Sequence, residues 1–331
     1  MDKLESRNQM TMKKTGFLFD QRYLLHDTGP YHPEVPERLQ AIYQGIEEGG
    51  LIPKLKMISA VRAELKWVEA VHSVDYIRRF EEVCFSGQRT MDSPDNRMCT
   101  ETYETALLAV GGVLQTVDLV MQNEIDNAFC AVRPPGHHAE VSEAMGFCYF
   151  NNIAIAARYL QQQWKIPKVC IIDFDVHHGN GTQHIFEKDP SVFYYSIHQH
   201  PSFAYPGTGR EFEKGAVDGY GFTKNTPVLP GQGDEDYKQY VKRDLVPAVD
   251  HFKPDMILVS TGFDGHRDDD MSDVKLSTSA FSWIMETISQ LAEDHSKGKL
   301  ISILEGGYSL KRLPELARNH VQILLGEHVH Q

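Results

Sequence analysis

Short apolar runs, mostly β-branched or aromatic, alternate along the chain with longer stretches whose apolar positions recur at helical spacing. The first kind predicts strands over Thr15–Phe19, Ala128–Val132, Lys168–Phe174, Val192–Ile197, Met256–Ser260 and Leu300–Leu304. The second predicts helices over Glu37–Glu48, Leu65–Val83, Thr102–Met121, Asn151–Gln163, Glu235–Val246, Ser277–Glu293 and Lys311–Leu325. Strands separated by helices need crossover connections, so the pattern implies βαβ units and a largely parallel sheet. Val169-Cys170-Ile171-Ile172 is apolar at every position, as expected of a strand covered on both faces. The expected fold is therefore α/β, a central sheet with helices on both sides.

Polar loops rich in His, Asp and Gly follow these strands. Arg133–His138, Asp173–Asn180, His198–Gly209, Gly262–Asp264 and Gly306–Tyr308 each begin just past a predicted strand. In open α/β sheets ligands bind beyond the carboxyl ends of the strands, so five such loops at one edge predict a site. Asp173, Asp175 and His177 alternate as a strand ends, which sends their side chains to one side. A carboxylate and an imidazole there suit zinc or a similar divalent ion, with Asp264 as the third donor and one coordination position left open. Asp173 can itself ligate, but the preferred reading sets it behind an imidazole, fixing tautomer and orientation. Gly179 and Gly181 are read as letting the chain turn sharply after the ligands and, at the same time, as helix-start glycines. His137-His138 follow Pro134-Pro135-Gly136, which cannot be helix interior, and supply two imidazoles for proton transfer. Tyr308, after Gly306-Gly307, supplies a phenol that can donate to a developing oxyanion. His178, His184, His198, His200 and His266 are read as structural, and Cys148 as buried. Phe147 or Tyr205 is a candidate wall of a narrow apolar channel.

Composition narrows the class. The 331 residues show no linker, repeat or low-complexity tract, and the motifs must meet within one fold. The expected organisation is an extension over residues 1–14 and a single catalytic domain over 15–331. A net charge of -13 argues against a nucleic-acid-binding surface. Five scattered cysteines without a CxxC pair make neither a disulfide framework nor a cysteine metal site. No apolar run approaches the roughly 18 residues of a membrane span, and no signal-peptide core is expected. A cytoplasmic protein without a membrane partner is expected. A closed homo-oligomer is only a default.

The strings RPPGHHA, GFCYFNN, DFDVHHGNGTQ, YPGTG, GFD and LEGGY, in this order, resemble the histone deacetylase superfamily, which includes acetylpolyamine amidohydrolases, on the arginase-like α/β fold. The likeness runs from about Phe17 to Gly326. Asn180 resembles the class II branch, and a prokaryotic member is expected. The resemblance implies a catalytic zinc on Asp175, His177 and Asp264. It makes His138 the general base and acid, His137 backed by Asp173 its electrostatic partner, and Tyr308 the donor to the scissile carbonyl. Asn180, being neutral, would leave His138 available as the base. Gly146, Phe147 and Tyr205 would line the acyl-lysine tunnel, Asp95 its rim, and Arg38 the internal cavity of the leaving acetate.

The resemblance also implies potassium. A first site would use the Asp173 carboxylate, the Ser196 hydroxyl and the carbonyls of Asp173, Asp175, His177 and Ile197. A second would use the carbonyls of Phe186, Asp189, Val192 and Phe222. Met271 falls where polyamine-specific relatives place Glu, which favours acyl-lysine or other neutral-tailed amides, although Asp268-Asp269-Asp270 beside it can attract a cation. The expected activity is removal of acetyl or another short acyl group from acyl-lysine or a related N-acyl amine. An acetylpolyamine amidohydrolase, a binuclear manganese ureohydrolase and a non-catalytic carboxylate-binding protein are the alternatives.

Overall fold

In chain order the strands are β1 (Thr15–Leu18), β2 (Leu55–Ile58), β3 (Thr90–Met91), β4 (Ser93–Arg97), β5 (Asn127–Cys130), β6 (Val169–Asp173), β7 (Val192–Gln199), β8 (Thr223–Val228), β9 (Met256–Thr261) and β10 (Leu300–Leu304). The structure, a computed structural model, describes residues 12–329. Of the expected extension, residues 1–11 lie outside the described residues. Next to them, the Lys13 amide bonds the Leu325 carbonyl, and the Lys14 amide donates to Asp126.

Eight strands form one sheet in the order β2-β1-β5-β10-β9-β6-β7-β8, and every neighbouring pair is parallel. β3 and β4 make a separate antiparallel hairpin. The six central strands match the apolar runs, because β5, β6, β7, β9 and β10 are buried at every position and β1 likewise. The two edge strands escape that reading. In β2, Lys56 and Met57 face solvent, and β8 reads Thr-Lys-Asn-Thr-Pro-Val. Edge strands tolerate polar residues and proline because one side needs no partner.

Helices Glu37–Glu48 and Thr102–Met121 keep their expected bounds. The expected helix Leu65–Val83 is instead two, Leu65–Val68 and Val74–Phe85. Ser73 breaks it: its hydroxyl accepts the Tyr76 amide and starts a new helix. The stretch read as Glu235–Val246 runs on to Phe252, with one wider turn over Val241–Leu245. Contrary to the expectation that no apolar run approaches a membrane span, Thr102–Met121 is by length and a mean hydropathy of 1.4 apolar enough to cross one. In the fold, 67% of that window is buried.

Parallel register brings the strand ends together. Asp173 pairs across the sheet with both Ser196 and Ser260, and Ile303 with Cys130 and Ser260. The loops leaving β5, β6, β7, β9 and β10 therefore emerge at one edge.

Candidate active site

Asp175, His177 and Asp264 each turn a ligand atom to a common point, all within 4.8 Å of one another. His177 Nδ1 lies 3.2 Å from Asp175 Oδ1 and 3.0 Å from Asp264 Oδ2. Backbone amides hold the carboxylates' outer oxygens: Gly306 donates to Asp175 Oδ2 at 2.7 Å and Val176 to Asp264 Oδ1 at 3.0 Å. The cradle requires glycine. A Cβ at Gly306 would overlap Asp264 Oδ2 and stand 2.6 Å from Asp175 Oδ2, and one at Gly262 would overlap the Asp175 carboxylate.

The electrostatics of this group call for positive charge. Burial and the charge of Asp175 push Asp264 up to about 6. Burial disfavours charge on His177, but its hydrogen bonds to Asp175 and Asp264 outweigh this and hold it at about 10. A proton on His177 thus does what a cation among the three side chains would do. Two carboxylates and one imidazole, buried and convergent, fit a divalent ion such as zinc.

His137 and His138 stand beside this group with ring centroids 4.0 Å apart. His137 Nδ1 is 3.0 Å from Asp173 Oδ2, whose other oxygen accepts the Asp175 amide. Burial works against charge on His137, but Asp173, Asp175 and Glu305 together raise it to about 10. His138 Nδ1 is 2.8 Å from Asn180 Oδ1. Burial and the neighbouring His137 and His177 charges push His138 well below the usual histidine range. The adjacent imidazoles thus differ in charge state, set by a carboxylate behind one and an amide behind the other.

Asp95, His138, Gly146, Phe147, His177, Tyr205, Met271 and Tyr308 line one cavity of about 200 Å³. The expected rim and tunnel residues are therefore together. Tyr205 sits edge-on to His138 with centroids 5.1 Å apart, and Phe147 edge-on to Tyr308 at 6.1 Å. Phe147 adopts a left-handed φ of 69°, rare for a bulky residue. Asn96 holds it there by accepting its amide at 2.8 Å, and the His32 ring packs against it with centroids 4.6 Å apart. Burial raises the Tyr308 phenol well above its ordinary value.

Arg38 does not line this cavity. It is buried behind it, donating to the carbonyls of Glu305 and Gly307 at 2.6 Å and lying 4.8 Å above the Tyr308 ring. Of the residues expected near potassium, Ser196 stands opposite Asp173 in the β6–β7 register and bonds His198 Nδ1 at 2.7 Å, with Ile197 next in line. The Phe186 carbonyl accepts the Asp189 amide, the Asp189 carbonyl the Val192 amide, and the Phe222 carbonyl the Tyr194 amide. Gly179 and Gly181 stand at the start of the helix Asn180–Phe186, as helix-start glycines should, and Cβ atoms there would overlap Asp173 Oδ2 and the Ala139 carbonyl.

The positioning roles of Glu305, Glu34 and Asp269 are not among those read from the sequence. Glu305 is buried and accepts the amides of Gly136 at 2.7 Å and His137 at 3.1 Å, fixing the histidine loop. Its place before Gly306-Gly307-Tyr308 was a usable signal. Glu34 pairs with both Arg38 and Arg133 in the interior. Asp269 caps the loop that carries Tyr308.

Comparison with known proteins agrees with this geometry. The model of the histone deacetylase domain family matches residues 32–324. The chain is 38% identical over 299 residues to a probable deacetylase of Archaeoglobus fulgidus, covering 90% of this chain and 82% of that protein. It is 34% identical over 319 residues to a histone deacetylase-like amidohydrolase of Pseudomonas aeruginosa, covering 91% and 83%. The crystal structure of the HDA15 HD domain superposes with a TM-score of 0.90 at 34% identity, over 97% of this chain and 90% of that one.

Proposed function

The chain belongs to the histone deacetylase family, and from that premise we propose that it is a zinc-dependent amidohydrolase removing acetyl or other short acyl groups from acyl-lysine or related N-acyl amines. The observation that carries this reading is the convergence of Asp175, His177 and Asp264 beside His138 and Tyr308 at one cavity.

When bound by Asp175, His177 and Asp264, zinc supplies Lewis acidity to the amide carbonyl and to the attacking water. His138, kept neutral by burial and by the charge on His137, takes the proton of that water through the nitrogen not held by Asn180. The same nitrogen returns the proton to the departing amine. His137, charged and fixed by Asp173, places positive potential beside the reacting carbon. Tyr308 stays a phenol across the neutral range and donates to the oxygen on which charge develops. Gly146, Phe147 and Tyr205 enclose the acyl-amine stem, and Asp95 offers an acceptor at the rim.

Potassium would occupy the Asp173–Ser196 corner, held by the Asp173 carboxylate, the Ser196 hydroxyl and the carbonyls of Asp173, Asp175, His177 and Ile197. The direct pairing of Asp173 with Ser196 supports it. A second potassium would use the carbonyls of Phe186, Asp189, Val192 and Phe222. Buried, unpaired cysteines at all five positions support a reducing, cytoplasmic setting.

The polyamine reading loses support at the acidic loop. Asp268 bonds Arg312 at 2.6 Å, Asp269 is buried against backbone amides, and Met271 faces the cavity. Zinc-loaded protein should release acetate from an acetyl-lysine peptide, lose that activity to a chelator and regain it with zinc. Asp264→Asn and His138→Ala should each lower kcat/KM by on the order of 10²-fold or more. Failure to hydrolyse any acyl-lysine or acetylpolyamine substrate would leave a binding protein on the same fold.

A further inference from the structure

Asn180 has a direction imposed on it. Its side-chain NH₂ donates to Glu140 Oε1 at 2.6 Å and to the His138 carbonyl at 3.2 Å, so its carbonyl oxygen is the end that faces His138 Nδ1. An amide oxygen only accepts, so His138 Nδ1 must carry the hydrogen and Nε2 is left as the acceptor. Reversing the amide would set an acceptor against a carboxylate and a donor against His138.

Glu140 is itself held. His184, four residues after Asn180 on the same short helix, brings its Nδ1 to 2.8 Å from the same Glu140 oxygen. The Glu140 amide bonds the Glu143 carbonyl. Its side chain is 20% exposed, at the point where the protein meets solvent.

We propose that Glu140 is a positioning residue that orients the Asn180 amide and thereby selects the His138 tautomer, and that Asn at 180 and Glu at 140 form a matched pair. The inference rests on the deacetylase reading of His138. It explains why an amide and not a carboxylate stands behind this imidazole. A carboxylate at position 180 would face Glu140 across a hydrogen-bond distance with no proton between them.

The test is an exchange of the two groups in the full-length zinc-loaded enzyme. Asn180→Asp should lower kcat/KM at least ten-fold. Adding Glu140→Gln should recover most of that loss, because the new amide can donate to the new carboxylate, which still accepts from His138. Glu140→Ala should lower kcat more than KM. Zinc content and thermal stability, measured on every variant, separate this from misfolding or metal loss. A double variant no better than Asn180→Asp alone overturns the proposal. Nitrogen chemical shifts of His138 report the tautomer without turnover: wild type should show the Nδ1–H form and Glu140→Ala a mixture. An unchanged tautomer in Glu140→Ala overturns the pairing even if the protein hydrolyses nothing, whereas an inactive wild type with the expected shifts overturns only the deacetylase reading.

Discussion

The carboxylate of Asp269 accepts the backbone amide of Tyr308 at 2.6 Å, and the same oxygen accepts that of Ser309 at 2.9 Å. Its other oxygen accepts the Met271 amide at 3.1 Å. One buried side chain thus ties the loop after β9, which carries Met271, to the loop after β10, which carries Tyr308. Gly307, at φ 114°, gives the second loop a hinge that only glycine adopts freely. Asp269→Asn replaces an acceptor with a donor and should loosen Tyr308. We expect kcat to fall about ten- to a hundred-fold with KM little changed, the loss expected when a transition-state donor is misplaced. In a Tyr308→Phe background the same change should cost little more. Equal losses in both backgrounds would mean that Asp269 serves only stability.

Gly306 meets both acidic ligands. A Cβ there would overlap Asp264 Oδ2, and the Gly306 amide donates to Asp175 Oδ2. Gly306→Ala must push the two carboxylates off their common point, so zinc content should drop below one per chain and activity by on the order of 10²-fold or more. The protein should remain folded but lose the thermal stabilisation that zinc confers on the wild type. Full zinc occupancy with normal turnover would refute the steric argument.

What was legible in the sequence follows from range. Asp175 and His177 could be read because two-residue periodicity is local, and the strand ends could be read because central parallel strands are apolar at every position. The large separation between Asp264 and Asp175 needed the parallel fold as an intermediate, and the fold supplied it. Glu140, Asn96 and Asp269 were not legible. Each acts by bonding an amide or side chain 39 to 51 residues away. No local spacing marks such a contact. Gly179 shows the same limit: its place at a helix start is local, but the contacts with Asp173, Tyr194 and the His137 ring that leave no room for a Cβ are not.

Met271 lines the cavity without a role in the chemistry, so its exchange should redirect substrate choice. Met271→Glu places a carboxylate at the wall, where attraction for a distal ammonium at partial desolvation is about 1–4 kcal/mol. The ratio of kcat/KM for acetylspermidine over an acetyl-lysine peptide should rise on the order of ten-fold or more, and rise further at low salt. An unaltered ratio would show that the distal end of the substrate does not reach this wall.

His72 supplies a pH dependence independent of the metal group. Its Nδ1 donates to the Glu140 carbonyl at 2.9 Å, while its Nε2 accepts the Asn151 amide at 2.9 Å. Both nitrogens are committed, and only the neutral ring can meet both. Burial lowers its pKa to about 4, its hydrogen bonds to backbone carbonyls only partly offsetting this. The unfolded chain, with an ordinary histidine near 6.5, therefore binds more protons than the native state between those values. The contribution of His72 is complete above pH ~6.5 and is lost as pH falls toward about 4, at roughly 1.4 kcal/mol per pH unit for one proton. His72→Gln can donate and accept in the same place but does not titrate. Urea unfolding across this window should give a shallower decline for the variant than for the wild type. Parallel curves would mean that His72 is already protonated in the native protein, contrary to its bond with Asn151.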